Sequence, residues 1–452
     1  MRAYALRLRS RPLKGSRVVS HLMKPVKIKK NLFFVLLAVL SLLLSACGRA
    51  QALSPAVPSF PPLPEKTGLR IAVASDLHFN PDYRPDGEDE PVQAMYSLEL
   101  ADALLRDAER QGADLLLLTG DLCNGGKSHR HEGLTEKLRA AEKNGLPVYV
   151  VPGNHDLAPI KQTDFAAFYA DFGYDEAYSR DPASLSYCVV RDGLMLLMMD
   201  TAGYSTGAID LPGAPGYDAE NPFFTESTLR WAEEMLRKAS EQKLRVLAAG
   251  HYNLLPEISN DPASTGYYLE NGSRFAALLR AYRVPLYLSG HMHMRAVYQK
   301  DGLTELLTEY LLAYPTAYSV LDITDNAITY TPRRVDVDAW AAETGQADPR
   351  LLNFAQWQQD GLWHYSIENV DYMAKKNPLS AKERSQAVEF FYRVMDAFWR
   401  GELANERESL VTLPGYAPFF RCAEGYAYGW WLSELIDTTT PLVKGFTIPW
   451  QE

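Results

Sequence analysis

Between residues 69 and 293, five apolar runs end in the same way, each passing a residue that can bind metal to the loop behind it. IAVAS leads into Asp76-Leu77-His78, DLLLLT into Gly120-Asp121, PVYVVP into Gly153-Asn154-His155-Asp156, RVLAA into Gly250-His251, and PLYLS into Gly290-His291-Met292-His293. In α/β sheets, sites are built from the loops at the carboxyl ends of strands, so five such ends can meet at one place. Glycine precedes four of them, letting the backbone turn sharply and come close to an ion. The chain beyond residue 47 holds eight histidines, and five of them (His78, His155, His251, His291 and His293) stand at these ends. A single Asp-x-His after a strand carries little information. Five such ends, with carboxylates and an amide among them, mark a metal site rich in imidazole and oxygen ligands.

The five runs belong to a wider alternation of strand and helix. Strands are predicted over Leu69–Ser75, Asp114–Thr119, Pro147–Val151, Leu185–Val190, Leu194–Met199, Leu244–Ala249, Val284–Ser289, Tyr318–Ile323 and Ala327–Tyr330. Helices are predicted over Ala94–Gln111, His131–Asn144, Thr225–Gln242 and Ser273–Tyr282. This order gives an α/β body with helices packed outside its sheets. With 452 residues, 47% of them apolar, the chain can bury such a body and carry an appendage besides.

The motifs DLH, GDL, GNHD, GH and GHMH resemble, in order and approximate spacing, those of the calcineurin-like metallophosphoesterases, over roughly residues 69–333. The resemblance implies a four-layer β-sandwich flanked by helices, and a pair of divalent ions (Mn, Fe or Zn) as cofactor. It places Asp76, His78 and His293 on the first ion, Asn154, His251 and His291 on the second, and Asp121 between the two. His155 stands beside them as the catalytic histidine, acting as an imidazolium on the phosphoryl oxygens or the departing alkoxide, and Asp156 completes the catalytic motif. Two divalent ions about 3.5–4 Å apart share a carboxylate and a hydroxide, which serves as nucleophile in an in-line displacement at phosphorus. The implied activity is hydrolysis of a phosphate ester, with diesters favoured over monoesters. A fold-sharing binding or scaffold protein without turnover is the alternative, and the complete ligand set argues against it.

Four positions near the motifs bear on subfamily and substrate. Asn124 stands three residues after Asp121, where purple acid phosphatases place a Tyr and Ser/Thr protein phosphatases an Asp, so neither group fits well. Its amide oxygen can bond His155, or it is a turn residue before Gly125-Gly126. His129 and His131 lie in a polar stretch and read as a solvated pair, with contact to substrate phosphate as the sharper reading. Cys123 reads as packing, with metal ligation the alternative. Substrate specificity is expected in loops such as Gly203–Pro222.

The ends of the chain carry different signals. Residues 1–47 hold ten Lys or Arg and no acid, and Lys24, Lys27, Lys29 and Lys30 precede the apolar run Leu32–Leu44. Thirteen residues are too few to span about 30 Å of hydrocarbon. A basic region, a short apolar run and a small-residue exit make an export signal. The exit Leu44-Ser45-Ala46-Cys47-Gly48 resembles a bacterial lipobox, which implies a lipid on Cys47 anchoring the protein outside the cytoplasm; an ordinary cleaved signal or a short anchor helix is the plainer alternative. Met23 is a second candidate start. Residues 48–66 include five prolines and read as a tether. The formal charge of −10 becomes about −20 once the basic leader is set aside, 36 Lys and Arg against 56 Asp and Glu. Nucleic acid is therefore a poor partner, since its binding rests on Lys and Arg replacing phosphate counterions. Cys123, Cys188 and Cys422 form no CxxC pair and imply no disulfide framework.

The catalytic body is expected over 67–335, and residues 336–452 change character. They contain seven of the eight tryptophans, with helical pattern strongest over Ala381–Leu403. An aromatic-rich helical appendage packed on the body is expected, with a cleft wall or a surface for membrane or glycan as the alternative.

Overall fold

The computed structural model describes residues 68–84, 92–157, 160–202, 222–255, 268–437 and 445–451. The leader, Cys47, the tether and most of the Gly203–Pro222 loop lie outside these. Among the described residues no helix is long and apolar enough to cross a membrane.

Two sheets form the centre. The first has strands β1 (Leu69–Ala74), β2 (Leu115–Thr119), β3 (Val148–Val151), β11 (Ala317–Ile323), β12 (Ala327–Arg334) and β13 (Phe446–Pro449), in the order β13-β12-β11-β1-β2-β3. Strands β1, β2 and β3 run parallel, and LRIAVA, LLLLT and VYVV are almost wholly buried. Continuous apolar runs of this kind belong to strands covered on both faces. The second sheet has β4 (Ser179–Arg180), β5 (Tyr187–Arg191), β6 (Leu194–Met198), β7 (Arg245–Ala249), β8 (Leu286–Ser289), β9 (Ala296–Lys300) and β10 (Leu303–Leu307), ordered β4-β5-β6-β7-β8-β10-β9.

Alternation along the second sheet separates the layers. Leu196, Met198, Leu247, Ala249, Leu286, Leu288 and Leu306 share one core with Ile71, Val73, Leu116 and Leu118 of the first sheet. Met195, Leu197, Val246, Ala248, Tyr287 and Leu307 face the other way into a second core. Period-2 side-chain geometry thus places one face of each strand between the sheets and the other beneath helices. Helices α1 (Ser97–Arg110) and α2 (Ser128–Lys143) cover the first sheet through Leu100, Leu104, Leu134 and Leu138. Helices α4 (Glu226–Glu241) and α5 (Gly272–Ala281) cover the second through Leu229, Ala232, Leu236, Phe275 and Leu279. A short α3 (Gln162–Phe168) lies between. The result is the four-layer α/β architecture expected from the sequence.

The C-terminal region is helical: α6 (Val337–Glu343), α7 (Phe354–Ala374), α8 (Ala381–Trp399), α9 (Leu403–Leu410), α10 (Tyr416–Cys422) and α11 (Ala427–Asp437). Ser380 and Glu383 form a reciprocal capping box that fixes where α8 begins. A third core joins α7, α8 and α10 through Leu362, Val370, Phe390, Phe391, Val394 and Phe419. Tyr314 of the body belongs to this core, and Met294, next to His293, packs against it. The helical region therefore abuts the loop that carries His291 and His293. Beyond these helices β13 pairs antiparallel with β12, from Ala327↔Pro449 to Tyr330↔Phe446.

Candidate metal centre

Seven residues were singled out as ligands, and five of them, Asp76, His78, Asp121, His291 and His293, adopt positive φ between 42° and 66°. For residues other than glycine this region is strained, and it persists where surrounding structure imposes it, typically at functional sites. The imposing contacts are visible. Asp76 N–H donates to Gly120 O (3.0 Å), His78 N–H to Asp121 O (2.9 Å) and Phe79 N–H to Leu122 O (2.9 Å), lacing the loops after β1 and β2 together. Gly290 N–H donates to His251 O (3.0 Å), and His291 N–H to Asp76 Oδ2 (3.1 Å), so the loops of the second sheet join them. Close approach also explains two glycines. A Cβ on Gly153 would overlap the amide and carboxylate of Asp121, and one on Gly290 would overlap Ser75 and Asp76.

The side chains converge on Asp121. Its Oδ2 lies 3.4 Å from His78 Nε2 and 3.3 Å from His251 Nε2. Asp76 Oδ1 lies 3.2 Å from His293 Nε2 and 3.9 Å from His78 Nε2. The potential donor atoms of Asp76, His78, Asp121 and His293 fall within 4.8 Å of one another, as do those of Asp121, His251 and His291. Asp121 is common to both groups. Asn154 Oδ1 stands 3.1 Å from His251 Nε2, which adds the amide to the second group.

Protonation shows what the cluster needs. His251 Nδ1 faces the Thr119 carbonyl at 2.8 Å and must donate to it, which leaves Nε2 pointing at two acceptors, Asp121 Oδ2 and Asn154 Oδ1. Burial opposes a charged ring here, yet the Asp121 carboxylate outweighs it and raises His251 to about 9. A proton on Nε2 satisfies those oxygens; a divalent cation held by His251, Asp121 and Asn154 would take its place. Asp121 is buried, which alone would raise its pKa, but His251 and His155 hold it well below the usual carboxylate range. Burial and the neighbouring His251 push His291 down to about 3, keeping its ring neutral as a metal ligand must be. Anionic carboxylate, neutral imidazole and amide oxygen fit a pair of divalent ions.

His155 sits at the rim of this cluster, its ring 4.6 Å from that of His78. Its N–H donates to Asp121 Oδ1 (2.7 Å), and Nδ1 lies 3.2 Å from Asn124 Oδ1. The amide oxygen accepts, so Nδ1 carries hydrogen and Nε2 is turned to the site. Both readings of Asn124 are present: it bonds His155 and opens the short turn Asn124–Gly126. Burial, aided by His78, His293 and His251 and opposed by Asp121, lowers His155 to about 4. Burial thus favours the neutral ring before substrate binds.

Among the other positions, only the solvated reading of His131 changes. Asp156 faces backbone donors, not the cluster: Leu122 (3.1 Å), Cys123 (2.8 Å) and Gly153 (2.9 Å) all give it their N–H groups. It clamps the Asp121 loop to the Asn154 loop. His131 is not solvated but fully buried on α2, stacked on Phe168. Its Nε2 donates to Asp156 O (3.2 Å) and its Nδ1 accepts from Tyr169 OH (2.9 Å), bracing the same loop. The polar local sequence misled because α2 begins three residues earlier than predicted and turns His131 inward. His129 remains exposed, 2.5 Å from Asp82. Cys123 is buried beside Tyr169, and burial drives its thiol pKa well up, consistent with packing. Sequence reasoning missed Thr201, whose Oγ1 accepts from both His251 and Tyr252 N–H groups at 2.9 Å. It also missed Tyr310, stacked on His293 with centroids 4.2 Å apart. Thr201 follows the end of β6 just as the ligands follow other strands, which was the available signal.

Fold and site together define a metal-dependent phosphohydrolase. The family model for calcineurin-like phosphoesterase matches residues 69–295, and that for the C-terminal domain of cyclic nucleotide phosphodiesterase matches residues 336–440. The chain belongs to the calcineurin-like phosphoesterase family. Among solved structures it is similar to a dimetal phosphatase from Danio rerio, at 14% identity over 60% of this chain and 97% of that one (TM-score 0.47). It is also similar to a purple acid phosphatase from yellow lupin, at 14% identity over 61% of this chain and 53% of the other (TM-score 0.42). A third similar structure is the phosphopantetheinyl hydrolase of Mycobacterium tuberculosis, at 14% identity over 54% and 90% (TM-score 0.33). No curated protein matches the sequence.

Proposed function

We propose that this chain hydrolyses phosphodiesters, with cyclic nucleotides as the candidate class, outside the cytoplasm and tethered to the membrane by a lipid on Cys47. The observation that carries the reading is the place of Asp121 Oδ2, within 3.4 Å of an imidazole nitrogen from each of two ligand groups. Asp76, His78 and His293 would hold one ion, Asn154, His251 and His291 the other, and Asp121 would serve both. Bound there, two divalent ions supply a water of lowered pKa and a clamp on the attacking and leaving oxygens. The donor set suits Mn²⁺, Fe²⁺ and Zn²⁺. His155 Nε2 faces the phosphoryl group; an anionic oxygen beside it favours the protonated ring, so the ring takes up a proton from water as the substrate binds and gives it to the leaving oxygen. Asn124 holds the ring by Nδ1 while this happens.

Support for diesters comes from the match of residues 336–440 to the C-terminal domain of cyclic nucleotide phosphodiesterase. The purified full chain is expected to cleave a 3′,5′-cyclic nucleotide or a bis-aryl phosphodiester with kcat/KM at least about tenfold above an aryl monoester, a gap of about 1.4 kcal/mol in transition-state stabilisation. Chelation should abolish both activities. Equal or greater monoester activity removes the diester assignment, and no metal-dependent hydrolysis of either restores the scaffold reading.

The anchor is tested separately. Cys47→Ser is expected to release the protein from the membrane fraction or to leave an unprocessed precursor. Unchanged attachment with unchanged mass would show that Cys47 carries no lipid.

A further inference from the structure

Strand β10 reads Leu-Thr-Glu-Leu-Leu, and all five residues are buried. Its central Glu305 is 0% exposed, in a position where the neighbouring pattern calls for an apolar side chain. A buried carboxylate is costly unless its lone pairs are filled, and here they are. Oε1 accepts from Ser289 Oγ (2.8 Å), Asn253 Nδ2 (3.2 Å) and Leu254 N–H (3.1 Å). Oε2 accepts from Leu255 N–H (2.8 Å) and from Leu254 N–H (3.2 Å). All these donors are neutral, so the carboxyl group is held by dipoles of two loops and not by an ion pair.

The two loops are those of the second ion. Asn253, Leu254 and Leu255 follow His251, and Ser289 lies two residues before His291. The rings of His251 and His291 stand with centroids 5.1 Å apart, and between the two segments Asn253 Nδ2 also donates to Ser289 Oγ (2.9 Å). Asp156 does the equivalent for the first sheet, drawing the Asp121 and Asn154 loops onto one carboxylate. We infer that Glu305 is a positioning residue that fixes His251 and His291 at the separation one cation requires, and so sets the affinity of the second ion. The inference rests on the two-ion reading given above. Glutamine cannot replace it, because its NH₂ would face backbone N–H groups where Oε1 or Oε2 now accepts.

The test is Mn²⁺ titration of the full chain, wild type against Glu305→Gln, followed by electron paramagnetic resonance, with circular dichroism melts of both. Wild type is expected to bind two Mn²⁺ and show an exchange-coupled signal. Glu305→Gln should bind the first as wild type does, bind the second about 10–100-fold more weakly, the range for groups behind metal ligands, and show the mononuclear signal at loadings that fill the wild type. If wild type binds two and the variant keeps both affinities, or loses both equally, the assignment of Glu305 is wrong while the two-ion reading stands. A wild type that binds one ion overturns that reading and this assignment with it. Should Glu305→Gln fail to fold, Asn253→Ala, which removes one donor and leaves the carboxylate, is expected to weaken the second ion several-fold; an unchanged second affinity overturns the inference.

Discussion

Replacing Asp121 by alanine is expected to strip the protein of both ions and to lower kcat at least about 10³-fold, since even one preorganised charge-stabilising group is typically worth about 10²–10³. The expectation follows from one oxygen. Asp121 Oδ2 lies 3.4 Å from His78 Nε2 and 3.3 Å from His251 Nε2, and no other carboxylate belongs to both candidate groups among the described residues. His293→Ala is the contrasting case, because His293 belongs to one group only, and it should mainly weaken the first ion. The fold should survive Asp121→Ala better than removal of a buried ion-pair partner usually allows. His251 is held near 9 chiefly because Asp121 outweighs its burial, so without the carboxylate it sheds its proton and leaves no stranded charge. Elemental analysis and melts in chelator read the two effects apart. Two ions retained in the Asp121 variant, or at most one in active wild type, would defeat the assignment of Asp121 as the shared ligand.

The site was legible because each ligand is tied to a strand end, and strands covered on both faces announce themselves as short apolar runs. IAVAS before Asp76 and DLLLLT before Gly120-Asp121 needed no knowledge of the rest of the chain. What failed was whatever depends on contacts distant in sequence. His131 looked solvated among charged neighbours, but helix phase and the aromatic rings of Phe168 and Tyr169 decide its burial. Strand β13 comes more than a hundred residues after β12, and no local pattern says that Phe446–Pro449 will return to that edge. Strands β9 and β10 were overlooked despite a readable signal, the Asp301-Gly302 dipeptide, whose φ values of 51° and 84° make the turn between them. Glu305 could also have been noticed, since an acid in the middle of Leu-Thr-Glu-Leu-Leu breaks the pattern of a buried strand. Its partners, however, are backbone groups fifty residues upstream, which only the fold brings near.

Removing His155 should separate chemistry from metal binding. His155→Ala is expected to keep its ions, because the donor groups that could hold them do not include this ring. Its kcat should nonetheless fall about 10²–10⁴-fold, the range for a positioned acid or base. KM should move much less, since an interaction made mainly in the transition state lowers kcat and kcat/KM together. Leaving-group dependence supplies the sharper readout. A nitrophenolate departs without a proton, so aryl esters should suffer less than alkyl esters, whose alkoxide needs one. Asn124→Ala is the companion variant: it leaves the ring in place but removes the acceptor 3.2 Å from Nδ1. It should therefore show the same leaving-group trend in weaker form, as expected of a residue that acts through another. Burial and the nearby imidazoles keep the resting His155 down at about 4, so an acid role at neutral pH requires the substrate's own negative charge to recruit the proton. If His155→Ala retains full kcat on an alkyl diester with its metal content unchanged, that recruitment does not occur and the leaving oxygen takes its proton from another source.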